Sequence, residues 1–259
     1  MSDAPIECDF LVIGSGPAGQ KAAIQGAKAG KKVILVERES RLGGICVNRG
    51  TIPSKALRES AMGVTVDRSD VIELLPLISQ VDTVVGAHDS FSRDQLSRND
   101  VRIETGVARF LARDLVEVRT LRGPVLKVRA HWTFIATGST PRHPEQIPID
   151  HERVFDSGSI LALAYVPSSI IVVGGGVIGC EYASVFARLG ARVTLIDRHP
   201  VPLGFLDHEI SSRFCDTLAV LGAGFIGNSQ AKSVGTSITG VEVELQDATR
   251  LHAEKLLVA

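Results

Sequence analysis

The chain has 259 residues and a mass of 27.6 kDa, enough for one large domain or two ordinary ones, and long enough to bury a core. Its 44% hydrophobic and 22% charged residues argue against wholesale disorder, and 28 basic residues against 29 acidic ones exclude a dedicated nucleic-acid or polybasic membrane binder. Glycine fills 25 positions while aromatics make up only 5%, a balance common in nucleotide-binding α/β folds.

In chain order, residues 10–13 form a short apolar run, long enough for a buried parallel strand. A Gly14-x-Gly16-x-x-Gly19 turn follows, then a helical stretch with Ala22, Ala23 and Ala27 on one face and Gly30 where the helix should end. A second strand, residues 33–36, leads to Glu37. The same pattern returns 160 positions later, without a gap: strand 170–173, turn Gly174-x-Gly176-x-x-Gly179, a helix with Ala183 and Ala187, Gly190, strand 193–196 and Asp197. In such a unit the first glycine makes a tight turn, the second admits a pyrophosphate, and the third lets helix and strand pack closely. The helix N-terminus offers amides and a positive dipole end to phosphate. The acid, 23 residues after the first glycine in both copies, is placed to accept from a ribose hydroxyl. One Gly-x-Gly-x-x-Gly is weak evidence; the whole pattern occurring twice predicts two dinucleotide-binding units.

Between the units, Gly43, Gly44 and Gly50 mark a loop of close backbone approach, and Thr51, Ile52 and Pro53 predict a helix start with Pro53 near its first position, Lys55 in its first turn, and continuation through Ala61. Residues 72–78 are apolar but interrupted by Pro76, and 92–97 look helical. Residues 101–118 read as short strands around Gly106, followed by an open turn at Arg122-Gly123-Pro124. A strand at 132–135 runs into Ala136-Thr137-Gly138-Ser139, and the proline-punctuated stretch 141–150 reads as the link between units. The second unit continues through a loop at 203–207, a helix at 209–221, a strand at 241–245 and an apolar run at 255–259. The expected fold is α/β: two tandem Rossmann-like domains with central parallel sheets, residues 1–148 and 149–259.

The four cysteines (Cys8, Cys46, Cys180, Cys215) have no metal-ligand or disulfide-framework spacing, so no metal is expected. The seven histidines are scattered and read as structural or solvated. Residues 1–9 show no basic n-region or apolar run of signal-peptide type, no stretch approaches eighteen apolar residues, and a soluble cytoplasmic protein is expected.

Tandem units separated by Gly-Gly-x-Cys-x-x-x-Gly-x-Ile-Pro-Ser-Lys (residues 43–55) and an Ala-Thr-Gly-Ser strand end resemble the two-dinucleotide flavoprotein oxidoreductases, among them dihydrolipoamide dehydrogenase, glutathione reductase and mercuric reductase. The resemblance covers about residues 7–259. It implies an FAD site built from Gly14, Gly16, Pro17, Ala18, Gly19, Glu37, Arg38, Gly43, Gly44, Cys46, Thr51, Lys55, Ala108, Thr137, Gly138 and Ser139. It implies an NAD(H) or NADP(H) site at Gly174, Gly176, Val177, Ile178, Gly179, Glu181, Asp197 and Arg198. Lys55 and Glu181 are implied to meet beside the flavin, where the ammonium would stabilise negative charge; the plainer alternative is two solvated helix residues.

One departure matters. Disulfide reductases of the family carry Cys-x-x-x-x-Cys; here Cys46 is followed at the second position by Thr51, so no dithiol can take electrons there. The run 50–58, Gly-Thr-Ile-Pro-Ser-Lys-Ala-Leu-Arg, and the segment 203–210 resemble the soluble, Si-specific NAD(P)+ transhydrogenase branch, which implies ping-pong hydride exchange between NADPH and NAD+ through FAD. Cys46 is left as a flavin-contacting, peroxide-reactive or packing residue, and Thr51 as a flavin hydrogen-bond donor or a helix N-cap. Asp197 suits NAD, while Arg192 and Arg198 are candidates for a 2′-phosphate or ordinary surface charges. A diaphorase, NADH oxidase or peroxidase using Cys46 is the alternative enzyme, and a non-catalytic nucleotide-binding remnant the alternative from another class. The resemblance also implies homodimers, with the second FAD-contacting segment, a catalytic histidine and the dimerisation domain all outside this chain.

Overall fold

The computed structural model describes residues 4–64, 73–120 and 123–259. Contacts divide the chain into one unit of Met1–Pro53 with Asp82–Thr140 and another of Ser54–Val81 with Pro141–Ala259. Residues 54–64 and 73–81 therefore group with the second unit, whereas the contiguous bounds 1–148 and 149–259 put them in the first. Of the apolar run 72–78, residue 72 lies outside the described residues, as does residue 122 of the turn at 122–124.

The first half of the chain gives β1 (Ile6–Ile13), α1 (Pro17–Lys28), β2 (Val33–Glu37), α2 (Gly44–Asn48), α3 (Thr51–Met62), α4 (Leu75–Ser97), β3 (Arg102–Phe110), β4 (Leu115–Thr120) and β5 (Val125–Ile135). The strands hydrogen-bond in the closed order β1-β2-β3-β4-β5. Closure depends on two long strands. β3 pairs parallel with β2 over residues 102–105 and antiparallel with β4 over 106–110. Gly106 stands at that change of partner, where a Cβ would lie 2.5 Å from the Arg119 carbonyl. β5 pairs with β4 at its start and runs parallel to β1 to its end. In place of short strands around Gly106, one strand of nine residues passes through it, and the strand expected at 132–135 begins at Val125. α4 contains the helix expected at 92–97, and Pro76 is its second residue, a first-turn position where the missing N–H costs nothing. One apolar cluster (Cys8, Leu11, Ile34, Val116, Val128) fills the closed end; another (Val12, Ala23, Ile24, Leu35, Leu96) lies under α1.

The second half gives β6 (Val154–Asp156), a 3-10 turn at Ile160–Ala162, β7 (Ser169–Val173), α5 (Val177–Arg188), β8 (Arg192–Ile196), α6 (His208–Val220), β9 (Gly224–Ile226), β10 (Ala231–Ser237), β11 (Gly240–Leu245), β12 (Arg250–Ala253) and β13 (Lys255–Val258). The order β6-β13-β7-β8-β9 is parallel throughout. Its central strands read as continuous apolar runs because the sheet is covered on both faces. The antiparallel sheet β10-β11-β12 sends Val241, Val243 and Leu245 into a core with Val154, Ile171 and Leu256.

The sequence repeat is also a repeat of register. Residues 10–13 of β1 lie opposite 33–36 of β2, and residues 170–173 of β7 lie opposite 193–196 of β8, each pair shifted by 160. Among the described residues no helix is long and apolar enough to cross a membrane, and no group of three potential metal ligands forms.

Candidate functional site: two dinucleotide turns

Between β1 and α1 the three glycines are required for different reasons. Gly14 has φ +104°, and a Cβ there would collide with the Ala136 carbonyl. A Cβ on Gly19 would strike the Gly14 carbonyl. Gly16 has ordinary φ (−63°), and a Cβ there meets nothing within 4 Å. The chain's own packing explains Gly14 and Gly19; Gly16 faces open space. No side chain caps α1, so its first-turn amides are available to an anion.

Glu37, at the end of β2, is only 6% exposed. Its Oε2 accepts from Ser15 N at 2.8 Å and Ser15 Oγ at 2.6 Å, and Oε1 accepts from Glu39 N at 3.0 Å. Burial opposes its charge, but these donors outweigh it and hold the carboxyl below the ordinary carboxylate range. Of about four acceptor positions on a carboxylate, three are already used.

The loop expected from Gly43 and Gly44 lies against this turn. Both have positive φ, +106° and +59°. Gly43 N donates to Ser15 O and Ser15 Oγ, each at 3.1 Å, and a Cβ on Gly44 would come within 3.0 Å of Gly16 Cα. α4 holds the loop from behind: Asp89 Oδ1 accepts from Leu42 N at 2.7 Å, and Arg93 Nη2 donates to Ser40 O at 2.6 Å. Cys46, in α2, is a half-buried free thiol. Thr51 is the first residue of α3, which makes Pro53 its third. Ala108 packs against the closed-end core, and Thr137, Gly138 (φ +66°) and Ser139 follow β5. Arg38 lies beside Glu39, 3.7 Å away.

The second turn repeats the first. Gly174 has φ +117° with its missing Cβ facing the Ala259 carbonyl, Gly179 is closed against Gly174 O, and Gly176 faces open space. Ala259 N donates to Val173 O at 2.9 Å, as Ala136 N does to Ile13 O at 2.8 Å. α5 also lacks a side-chain cap, and Val177 and Ile178 are exposed in its first turn. The acid is held differently. Gly175 supplies only its backbone N to Asp197 Oδ2 (2.5 Å), and the part played by the Ser15 hydroxyl falls to His199, whose N and Nδ1 both lie 2.7 Å from Oδ1. Burial again opposes the charge, and the donors around Asp197 hold its carboxyl below the ordinary range. Arg198 and Arg192 are exposed.

Lys55 and Glu181 are brought together within the second unit, with Nζ 3.8 Å from Oε1. The lysine is 68% exposed, so this is a weak ion pair. A closer contact was not expected from the sequence: Ser54 Oγ donates to Glu181 Oε2 at 2.8 Å. Ser15, Ser54 and His199 all engage an expected acid without having been singled out. Ser54 is a position of the 43–55 motif and Ser15 and His199 stand within two residues of a motif position, the only local signal they carry.

Two glycine turns of the same register, each with a buried or half-buried acid behind it, define a tandem dinucleotide-binding α/β protein. The chain belongs to the pyridine nucleotide-disulphide oxidoreductase family, which matches residues 8–259. It is 39% identical over 263 residues to the soluble pyridine nucleotide transhydrogenase of Mycobacterium tuberculosis (strain ATCC 25177 / H37Ra), covering 97% of this chain and 56% of that protein. It is 36% identical over 259 residues to the enzyme of the same name from Pseudomonas putida (strain GB-1), covering 96% and 56%. The HOCl-induced flavoprotein disulfide reductase RclA from Escherichia coli superposes with a TM-score of 0.86 at 28% identity, over 97% of this chain and 56% of that one. The chain thus spans about half the length of the curated relatives it matches. The family and its flavoprotein relatives imply binding of FAD and of a nicotinamide dinucleotide.

Proposed function

We propose that this polypeptide is part of an FAD-dependent transhydrogenase that exchanges hydride between NADPH and NAD+. The single observation that carries the reading is Thr51: α3 opens on a hydroxyl where a disulfide reductase needs the partner of Cys46. The names of the most similar relatives favour it as well. The stretch 1–148 takes FAD, and the stretch 149–259 takes the nicotinamide dinucleotide.

The residues fit these groups. Uncapped helix starts and open space before Gly16 and Gly176 suit pyrophosphates. Pro17, Ala18 and Gly19 continue the first turn, and Glu37 keeps about one acceptor position for a ribose hydroxyl, with Arg38 beside it. Gly43, Gly44, Cys46, Thr51, Ala108, Thr137, Gly138 and Ser139 border the flavin nucleotide in this reading. Val177, Ile178 and Gly179 follow Gly174 and Gly176 at the second turn; Asp197 takes the ribose of NAD(H), and Arg198 the 2′-phosphate of NADP(H). Lys55, steadied by Glu181, places positive charge where reduced flavin is negative. When bound, FAD supplies the two-electron chemistry, so that hydride passes from NADPH to NAD+ in two half-reactions. Cytoplasmic location and homodimer formation belong to the same proposal; four free cysteines favour the first.

The test is reduction of thio-NAD+ by NADPH with FAD-loaded protein. Turnover that requires FAD, with no reduction of lipoamide or glutathione disulfide, is expected; disulfide reduction without thio-NAD+ reduction overturns the reading. The half-buried Cys46 thiol favours a second reading, a peroxidase, which predicts peroxide turnover lost in Cys46→Ser.

A further inference from the structure

We propose that Ser54 is a positioning residue for the Lys55–Glu181 pair. Its hydroxyl donates to Glu181 Oε2 and turns Oε1 toward the Lys55 ammonium. The proposal rests on the reading that this pair serves the flavin.

The two contacts on Glu181 are unequal. A lysine that is 68% exposed, 3.8 Å away, cannot by itself fix a flexible carboxylate in one rotamer. The Ser54 hydroxyl is closer, at 2.8 Å, and Ser54 is 7% exposed. A hydroxyl donating to an ionised carboxylate is among the stronger hydrogen bonds, and burial shields it from competing water. Ser54 and Lys55 are adjacent on α3, so one stretch of helix presents a neutral donor and a cation to the two oxygens of one carboxylate. Glu181 is the fifth residue of α5, the helix that starts at the second glycine turn. The hydroxyl therefore ties α3 to α5 as well as orienting the carboxylate. A buried serine serving packing alone would be replaced by alanine without effect on the pair.

Two measurements on the full chain separate these roles. Without added cofactor, a double-mutant cycle in urea between Ser54→Ala and Glu181→Ala, neither of which keeps its half of the hydrogen bond, reads the contact directly. The double variant's unfolding constant should fall short of the product of the single effects by about fivefold; strict additivity overturns the proposal. With FAD bound, the reduced-to-oxidised flavin ratio is read at equilibrium with a reference dye. Ser54→Ala should lower the ratio about threefold, Lys55→Met should lower it further, and Ser54→Thr, which keeps the hydroxyl, should restore it. If Lys55→Met leaves the ratio unmoved, the flavin-facing reading fails, whatever Ser54 does. If Lys55→Met moves it and Ser54→Ala does not, or threonine fails to rescue, the positioning role fails alone.

Discussion

At the scale of residues, the three glycines of each turn make opposite demands on substitution. Alanine at Gly14 or Gly174 is strained twice, by φ above +100° and by a carbonyl in its path. Alanine at Gly19 or Gly179 forces helix and strand apart. Alanine at Gly16 or Gly176 has room, and costs about 1 kcal/mol or less as a poorer N-cap. We expect Gly19→Ala and Gly179→Ala to lower the urea midpoint by an amount equivalent to about 2 kcal/mol or more. Gly16→Ala should fold nearly as the parent yet bind FAD at least tenfold more weakly, as measured by fluorescence titration. A Gly16→Ala protein that keeps full FAD affinity would contradict the assignment of its open face to the pyrophosphate.

Glu37 adds a pH dependence whose sign follows from its donors. Its carboxyl is held below the ordinary value of 4.5, so the unfolded chain binds that proton more readily than the folded one. The stability Glu37 contributes is complete above that ordinary value and lost as the pH falls through the depressed one. Urea midpoints measured from pH 7 downward should hold level and then drop below about pH 4.5. Glu37→Gln should be less stable at pH 7 by roughly 1–3 kcal/mol, with a shallower acid limb, because an amide turns a donor toward Glu39 N or Ser15. An unchanged acid limb in Glu37→Gln would assign the pH dependence to other carboxylates.

At the scale of elements, what was legible in the sequence was local. A strand of four apolar residues, a glycine turn, a helix with a small-residue face and its closing glycine are fixed by neighbours a few positions apart. Gly30 and Gly190 duly take positive φ, +75° and +88°, just past α1 and α5. The length of α4 was not legible, because Pro76 and Gly86 interrupt a pattern whose buried residues (Leu77, Val81, Val85, Leu96) are chosen by tertiary neighbours. β5 was underestimated because its first half is fixed by β4, a partner that local pattern does not name. In the site the glycines were visible because their spacing is local: Gly14 and Gly174 take positive φ, and Gly19 and Gly179 have no room for a Cβ. Ser15–Glu37 and Ser54–Glu181, 22 and 127 residues apart, depend on sheet register and helix placement.

The loop at 38–44 is an element held by another element, and Asp89 is the fastening. Its 2.7 Å bond to Leu42 N and its pairing with Arg93 connect α4 to the loop that lies on the first turn. Asp89→Ala removes a charged acceptor from a backbone amide and should cost about 1.5–3 kcal/mol. Asp89→Asn, which keeps an acceptor, should recover most of it. Hydrogen exchange at the Leu42 amide should rise in the alanine variant and stay low in the asparagine variant; equal exchange in both would show that the loop holds itself.

At the scale of the molecule, the duplicated register poses a question of ligand choice. The two turns share glycine geometry, strand pairing and an uncapped helix start, so those features cannot tell FAD from NADPH. What differs lies around them. The first turn carries the Ser15 hydroxyl and the glycine loop across it; the second has Gly175 in place of that serine, and His199, where the first has Glu39, paired with its half-buried acid. A turn crossed by the glycine loop, with its acid buried behind the Ser15 hydroxyl, suits an FAD held throughout turnover. A turn whose acid is half-buried and held by a backbone amide and an exposed histidine suits a dinucleotide that enters and leaves. Ligand-linked protection distinguishes the two. A ligand at a hundred times its Kd stabilises what it binds by about 2.7 kcal/mol, roughly a hundredfold slowing of exchange for amides that open with that site. Saturating FAD should therefore protect residues 10–43 and 136–139, and NADPH added afterwards should protect residues 170–199. NAD+ should protect the same second segment with less effect near Arg198, because it brings no 2′-phosphate. If NADPH instead protects the first turn in the FAD-free protein as strongly as the second, the glycine geometry alone sets affinity, and the surrounding residues do not select the ligand.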